Sequence, residues 1–260
     1  MDNTAYYAMY AIGTVESNCD WGACNYVDAI TMGMMQWYGT RARDLLKRGS
    51  TADPDGWSTF ATAAPTLARQ VQDNTVNWTT RYLTRAEGNA WKTWARRAQN
   101  HMFQEAQWED DWKGYMSTMD RYGFPAVSVK ERILWASAYH QSPARAQRVL
   151  ASCSATATLK LLYNTILADG VLGQYRNRYT TVYNLLRAWD GTSAPPDFGQ
   201  TSNPSDTPGG DHPGIEGKPA STAWIQLQGD NLIYRADDTT AIFVKSSAQT
   251  WVYKTSESTK

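Results

Sequence analysis

Residues 11–46 read AIGTVESNCDWGACNYVDAITMGMMQWYGTRARDLL, and the parsing of this stretch decides the rest of the chain. An apolar, alanine-rich run with Tyr7, Tyr10, Ala11 and Thr14 at helical spacing predicts a helix over residues 4–17. Glu16 sits at its end, preceded by Ile12, Gly13 and Val15. Asn18 to Ala29 holds too many turn formers and short polar groups for a regular element. Thr31 to Gly33 reads as a short extended piece. Met34 to Arg48 reads as a second helix, with Met35, Tyr38, Ala42, Leu45 and Leu46 along one side. Arg43, Lys47 and Arg48 suit the negative end of its dipole, and Gly49 its stop.

Working outward, helical patterns resume at 58–74, 76–85 and 88–119, the last carrying Trp91, Trp94, Ala98, Met102, Ala106 and Trp108. Gly123 to Pro125 predicts a break. Ser128 and Glu131 have the spacing of a capping box, and Ser142-Pro143 that of an N-cap with proline at the first helical position. Further helices are expected at 155–168 and 176–189, ended by Gly170 and Gly191. Residues 1–190 are therefore expected to be mainly α, with about eight helices. Residues 191–222 hold 6 of the 10 prolines, 6 glycines and 8 Ser/Thr, the composition of a flexible linker. From residue 223 the runs AWIQLQ, NLIYRA, AIFVKS and TWVYKT predict a small antiparallel β module of four strands. A sheet of this size rarely holds itself together alone, so it is expected to pack on the helical domain or to self-associate.

Lys plus Arg and Asp plus Glu balance at 25 each, which gives no electrostatic footprint for nucleic acid or an anionic membrane surface. No apolar run reaches the length of about 18 residues that a membrane-spanning helix needs. The N-terminus MDNTAYYAMYAIG lacks a basic n-region and a cleavage site, so no secretory signal is expected. Twelve tryptophans and 15 tyrosines against 5 phenylalanines fit either core filling or the stacking of sugar rings, since both residues join a flat apolar face to a polar edge. Cys19, Cys24 and Cys153 are odd in number. Cys19 and Cys24 could close a small loop, and reduced thiols fit equally well. The histidines have no metal-ligand spacing and no phosphate loop is present, so no cofactor or metal is expected.

Cleavage of a glycosidic bond needs a carboxylic acid to protonate the leaving oxygen and a second group to handle water or the oxocarbenium charge. A glutamate at the end of an apolar helix facing a cleft suits the first role, although most glutamates are merely solvated. GTVESN followed by TMGMMQWYGTRA resembles the lysozyme superfamily, including phage-type lysozymes and lytic transglycosylases. In transglycosylases a helix ends in Glu-Ser and a Gly-x-Met-Gln segment follows; Glu16-Ser17 and Gly33-Met34-Met35-Gln36 fit that pattern. In phage-type lysozymes the catalytic Glu is followed at fixed spacing by Asp, Thr and Gly. From Glu16 that spacing lands on Asn25, Thr31 and Gly33, so the Asp position departs from the pattern, with Asp20 and Asp28 nearby.

The resemblance covers residues 11–46. It implies a lysozyme-like domain over 1–190 that cleaves the β-1,4 glycan strand of peptidoglycan. In that reading Glu16 is the general acid, Asp28 positions water or stabilises positive charge, and Thr31 holds the water. Without a second carboxylate the muramic acid 6-hydroxyl would attack internally, as in a transglycosylase. Gln36, Trp37 and Tyr38 are expected to touch the sugar, with Tyr139 and His140 on the opposite wall; helix packing for Trp37 and a structural histidine for His140 are the plainer alternatives. The arrangement suits a phage endolysin released from the host cytoplasm through a holin, or a lysin on the virion tail, with residues 223–260 binding the wall, other virion proteins or a second copy.

Two other readings stand beside it. One is a non-catalytic virion component or saccharide-binding protein on a lysozyme fold. The other is a Cys/His amidase or endopeptidase, because WGACNYV loosely resembles the segment around such a nucleophile, which would be Cys24.

Overall fold

The computed structural model describes residues 1–122, 127–153 and 157–196, and the backbone of four strands between residues 224 and 254. The chain divides into the units Met1–Thr201 and Ser202–Lys260. The break expected at Gly123 to Pro125 and most of the expected linker lie outside the described residues.

The first unit is mainly helical. Helix α1 (Asn3–Ser17) starts where the Asp2 carboxylate accepts from the Ala5 N–H at 2.7 Å, and ends where Asn18 turns left-handed at φ +56°. Its inner stripe of Ala5, Ala8, Met9, Ala11 and Ile12 is buried. A three-stranded antiparallel sheet follows: β1 (Cys24–Asn25), β2 (Thr31–Met32) and β3 (Trp37–Tyr38). Here the expected helix over Met34 to Arg48 gives way. Met32 pairs with Trp37, the connecting turn uses Gly33 at φ +81° and Gln36 at φ +50°, and α2 (Thr40–Ala52) begins only after Gly39 at φ +60°. Gly49 does not stop α2. It lies inside it, and the position takes glycine because a Cβ there would sit 2.5 Å from the Trp94 ring.

The expected helix at 58–74 is two, α3 (Pro54–Ala63) and α4 (Pro65–Gln72), since Pro65 cannot continue a helix but can start one. The segment 76–84 is not helical. It lies along the small sheet, with the Ile30 N–H donating to the Arg81 carbonyl at 2.5 Å. A capping box of Thr84 and Glu87 opens α5 (Arg85–Ala95), and extended backbone at Arg97 separates it from α6 (Ala98–Arg121). Helices α7 (Val129–Gln141), α8 (Pro143–Ser152), α9 (Leu159–Ala168) and α10 (Arg176–Ala188) complete ten among the described residues. At α7 the capping box fails in detail: the Ser128 hydroxyl donates to the Glu131 carboxylate and caps no backbone N–H.

The core answers the question of the tryptophans. Trp21, Trp37, Trp78, Trp91, Trp108 and Trp135 are fully buried. Several spend their indole N–H on joining elements: Trp108 donates to the Ala5 carbonyl at 2.7 Å, binding α6 to α1, and Trp135 to the Ala146 carbonyl at 2.9 Å, binding α7 to α8. Each buries a large apolar area worth roughly 3–5 kcal/mol on truncation to alanine.

The second unit contains β4 (Trp224–Gln228), β5 (Asn231–Ala236), β6 (Thr239–Ser247) and β7 (Thr250–Lys254), in that spatial order and antiparallel throughout. This is the expected meander. β6 extends one residue beyond the run AIFVKS, to Ser247.

Candidate active site

The end of α1 opens onto a cleft of about 480 Å³ between that helix, the small sheet and the segment 77–82. Glu16 lies at its base with a side chain 15% exposed. Ser17 pins the helix end: its hydroxyl donates to the Met34 carbonyl at 2.7 Å. The β1–β2 turn forms one rim. There the Asn25 carbonyl oxygen accepts from the Val27 N–H at 2.8 Å, and its amide donates to the Asp28 carboxylate at 3.0 Å. Thr31 and Gln36 face the same cleft, each held by a backbone bond, the hydroxyl to the Ala29 carbonyl and the amide to the Gly33 carbonyl, both at 2.9 Å. Tyr38 forms a wall and donates to the Thr79 carbonyl at 3.1 Å.

Glu16, Asp28, Thr31, Gln36 and Tyr38 thus meet in one cleft, and three expected residues do not. Trp37 is 1% exposed, with its indole N–H on Asp111 at 2.8 Å. On a strand, neighbouring side chains point to opposite faces, so Tyr38 at 49% exposed faces the cleft and Trp37 the core. Tyr139 packs its ring on Tyr115 and Trp135, at 4.9 and 4.7 Å, and does not line the cleft. His140 is buried behind Glu16 and forms no opposite wall, its Nε2 3.7 Å from the Glu16 Oε1. Asp20 is likewise committed elsewhere, to Arg96 at 2.7 Å and the Gly22 N–H at 2.8 Å.

The cleft also gathers residues that the sequence does not single out. Thr79 and Tyr82, the latter 57% exposed, stand on the wall beside Tyr38. Their segment is held by the buried ion pair of Arg81 with Glu87. Burial alone would raise the Glu87 carboxyl, but the Arg81 guanidinium and the Thr84 N–H outweigh it and hold it below the usual range. Arg178, from α10, reaches Glu16 with Nη2 2.5 Å from Oε1 and also donates to the Ser137 carbonyl at 3.3 Å. The described contacts of Glu16 fall on Oε1. Nothing local marks Arg178 in sequence. The helical reading of residues 76–85 hides Tyr82.

Cys19, Cys24 and Cys153 are free thiols. The described contacts of Cys24 are the Gly88 carbonyl at 4.0 Å and the Tyr26 hydroxyl, not a histidine. His101 stacks on Trp21 at 4.2 Å, and His212 lies outside the described residues. A Cys24–His dyad is therefore not assembled among the described residues. There, too, no three His, Cys, Asp or Glu side chains are placed to hold a metal ion, and no helix is long and apolar enough to cross a membrane.

No family model and no curated relative matches the chain. Two solved structures do: native chitosanase from Bacillus subtilis MY002, and a point mutant of that chitosanase complexed with 6 GlcN. Each has a TM-score of 0.46 and 16% identity, over 71% of this chain and 86% of the chitosanase chain.

Proposed function

We propose that this chain is a glycoside hydrolase acting on the β-1,4 glycan strand of bacterial peptidoglycan, with Glu16 as general acid. The observation that carries the reading is the meeting of Glu16, Asp28 and Thr31 in one cleft walled by exposed tyrosines. A saccharide laid along it stacks on Tyr38 and Tyr82 and places its glycosidic oxygen at Glu16. Glu16, ion-paired with Arg178 in the free chain, takes up a proton from solvent and gives it to that oxygen as the C1–O bond breaks. Asp28 and Thr31 orient the water that attacks C1, and the proton of that water leaves through Asp28. Delivery as a phage endolysin or tail lysin belongs to the same proposal, with the C-terminal sheet as wall-binding or virion-attachment module.

A non-catalytic saccharide-binding role has one observation in its favour: Glu16 Oε1 is already engaged by Arg178. Mass spectrometry of fragments from purified peptidoglycan, and from chitosan as comparator, treated with wild type and E16Q separates the readings. Reducing-end muropeptides from wild type alone support the hydrolase. Anhydro ends move it to the transglycosylases and release Asp28. Chitosan fragments without muropeptides change the substrate and keep Glu16. Binding without fragments from either polymer overturns the enzyme.

A further inference from the structure

His140 lies at the C-terminal end of α7, 5% exposed, and both ring nitrogens are occupied. Nε2 is 2.7 Å from the Met35 carbonyl, which can only accept, so Nε2 carries a proton. Nδ1 is 2.8 Å from the Tyr115 hydroxyl. That hydroxyl already accepts from Arg41 Nη1 at 3.2 Å, so its own proton points at Nδ1, which must be an unprotonated acceptor. Arg41 is paired with Asp111, and Asp111 takes the Trp37 indole N–H at 2.8 Å. One chain of bonds therefore runs from Trp37 on β3 through Asp111, Arg41, Tyr115 and His140 to Met35, the residue before Gln36 of the cleft. The imidazole it fixes stands 3.7 Å from Glu16.

We propose that His140, held as the neutral Nε2–H tautomer by the Met35 carbonyl and the Tyr115 hydroxyl, is a positioning residue for Glu16: it fixes the Met35–Gln36 backbone beside the carboxyl and keeps an uncharged ring against Oε1. The inference rests on Glu16 being the general acid. A charged imidazole would break the chain, because Nδ1–H and Arg41 would both aim at the Tyr115 oxygen and leave its buried proton without an acceptor. The groups facing the ring are Glu16 from α1, Arg41 from α2, Tyr115 from α6 and Arg178 from α10. Burial pushes the imidazole below its ordinary titration range; Glu16 opposes this, Arg41 adds to it, the Met35 bond opposes and Arg178 adds. The uncharged ring leaves the Arg178 guanidinium as the cation beside Glu16.

The test combines ¹⁵N NMR of the histidines, of which the chain has 3, with steady-state kinetics on soluble glycan oligomers. The expected spectrum shows a neutral Nε2–H signal for His140, assigned by its loss in H140Q, and the same tautomer in Y115F, where the Met35 carbonyl still takes the Nε2 proton. H140L is expected to lower kcat by about tenfold to a hundredfold with KM little changed, the cost of a slightly misplaced catalytic group. H140Q, whose amide offers a donor to Met35 and an acceptor to Tyr115, restores most of kcat, and because it cannot titrate it extends activity to lower pH. An imidazolium or an Nδ1–H tautomer at neutral pH overturns the proposal. So does an unimpaired H140L, or an H140Q no better than H140L at equal thermal stability. A wild type that turns over no glycan overturns the functional reading and the positioning role with it, while the spectrum still reports whether the bond chain exists.

Discussion

Arg178 and Glu16 are 162 residues apart in sequence and 2.5 Å apart in space. The pair joins the end of α1 to α10, and the second bond of Arg178, to the Ser137 carbonyl, adds α7. The candidate acid is thereby held by three helices that no local sequence pattern connects. With side chains only 12% and 15% exposed, neither charge has water as a ready substitute for the other.

R178A is therefore expected to cost about 3–5 kcal/mol, most of it the penalty for leaving a half-buried carboxylate without its cation. Adding E16Q to R178A should recover much of that loss, because the orphaned charge is gone. Urea unfolding of the single and double variants measures the coupling. Strictly additive effects would show that the pair is not coupled and that Arg178 acts on Glu16 through nothing more than proximity.

The Arg81–Glu87 pair should make the cleft wall acid-labile. The folded Glu87 carboxyl is held below its unfolded value of about 4.3. Its contribution to stability is thus complete above that pH and is lost as pH falls through the lower folded value. E87Q should be destabilised by about 3 kcal/mol at neutral pH. Its deficit against wild type should shrink steadily below about pH 4. Thermal melts across that range check the sign: a deficit that grows in acid contradicts the assignment.

Tyr82 rides on the same segment and should matter to binding more than to chemistry. Y82A is expected to raise KM on glycan oligomers by about tenfold, or ~1.4 kcal/mol, with kcat within about twofold. Y82F keeps the stacking face and should stay close to wild type. A fall in kcat at unchanged KM would instead place Tyr82 near the reacting bond.

How much of this is legible in the chain follows from the range of the interactions. The helical class and the meander of β4 to β7 rest on local patterns within short windows, and the sequence carries them; Glu16, Asp28, Thr31, Gln36 and Tyr38 share a cleft, and their grouping is an implication of the resemblance over residues 11–46. Trp37 is misplaced by the sequence because an apolar run of Met34 to Tyr38 fits helix and strand alike, and the choice is made by the pairing of Met32 with Trp37 and by Gly33 and Gly39. Tyr82 is hidden in a segment whose composition reads as helix but whose backbone groups are taken by Ile30 and Tyr38 from the sheet. Arg178 and the His140 chain depend on how α1, α2, α6, α7 and α10 pack, which one sequence does not encode in any window.

Gly33 tests the local part of that claim. It holds φ +81°, and a Cβ there would sit 2.8 Å from both the Gln104 Oε1 and the Trp37 ring. Gln104 cannot simply move, because the same oxygen accepts from the Met34 N–H at 2.9 Å. G33A should therefore destabilise by about 2 kcal/mol or more, the sum of left-handed strain and overpacking, measured by denaturant unfolding. A near-neutral G33A would mean the β2–β3 turn is free to rearrange.

Asn25 offers the sharpest test of how the cleft handles water. Its carbonyl oxygen caps the turn and its amide neutralises one face of Asp28 at 3.0 Å. N25D keeps the acceptor and replaces the donor by a second carboxylate, and two carboxylates at that distance share a proton rather than both ionise. The variant's folded pair then binds a proton that the unfolded chain releases, so N25D should be nearly as stable as wild type near pH 4 and should lose ground as pH rises through the raised value of the pair. If Asp28 accepts the proton of the attacking water, the shared proton blocks it, and the activity of N25D should fall in acid and recover at higher pH, while D28N should lose about a hundredfold or more in kcat at every pH. A D28N protein that stays active while N25D gains activity would move the water-handling role to position 25, where the lysozyme pattern carries its Asp.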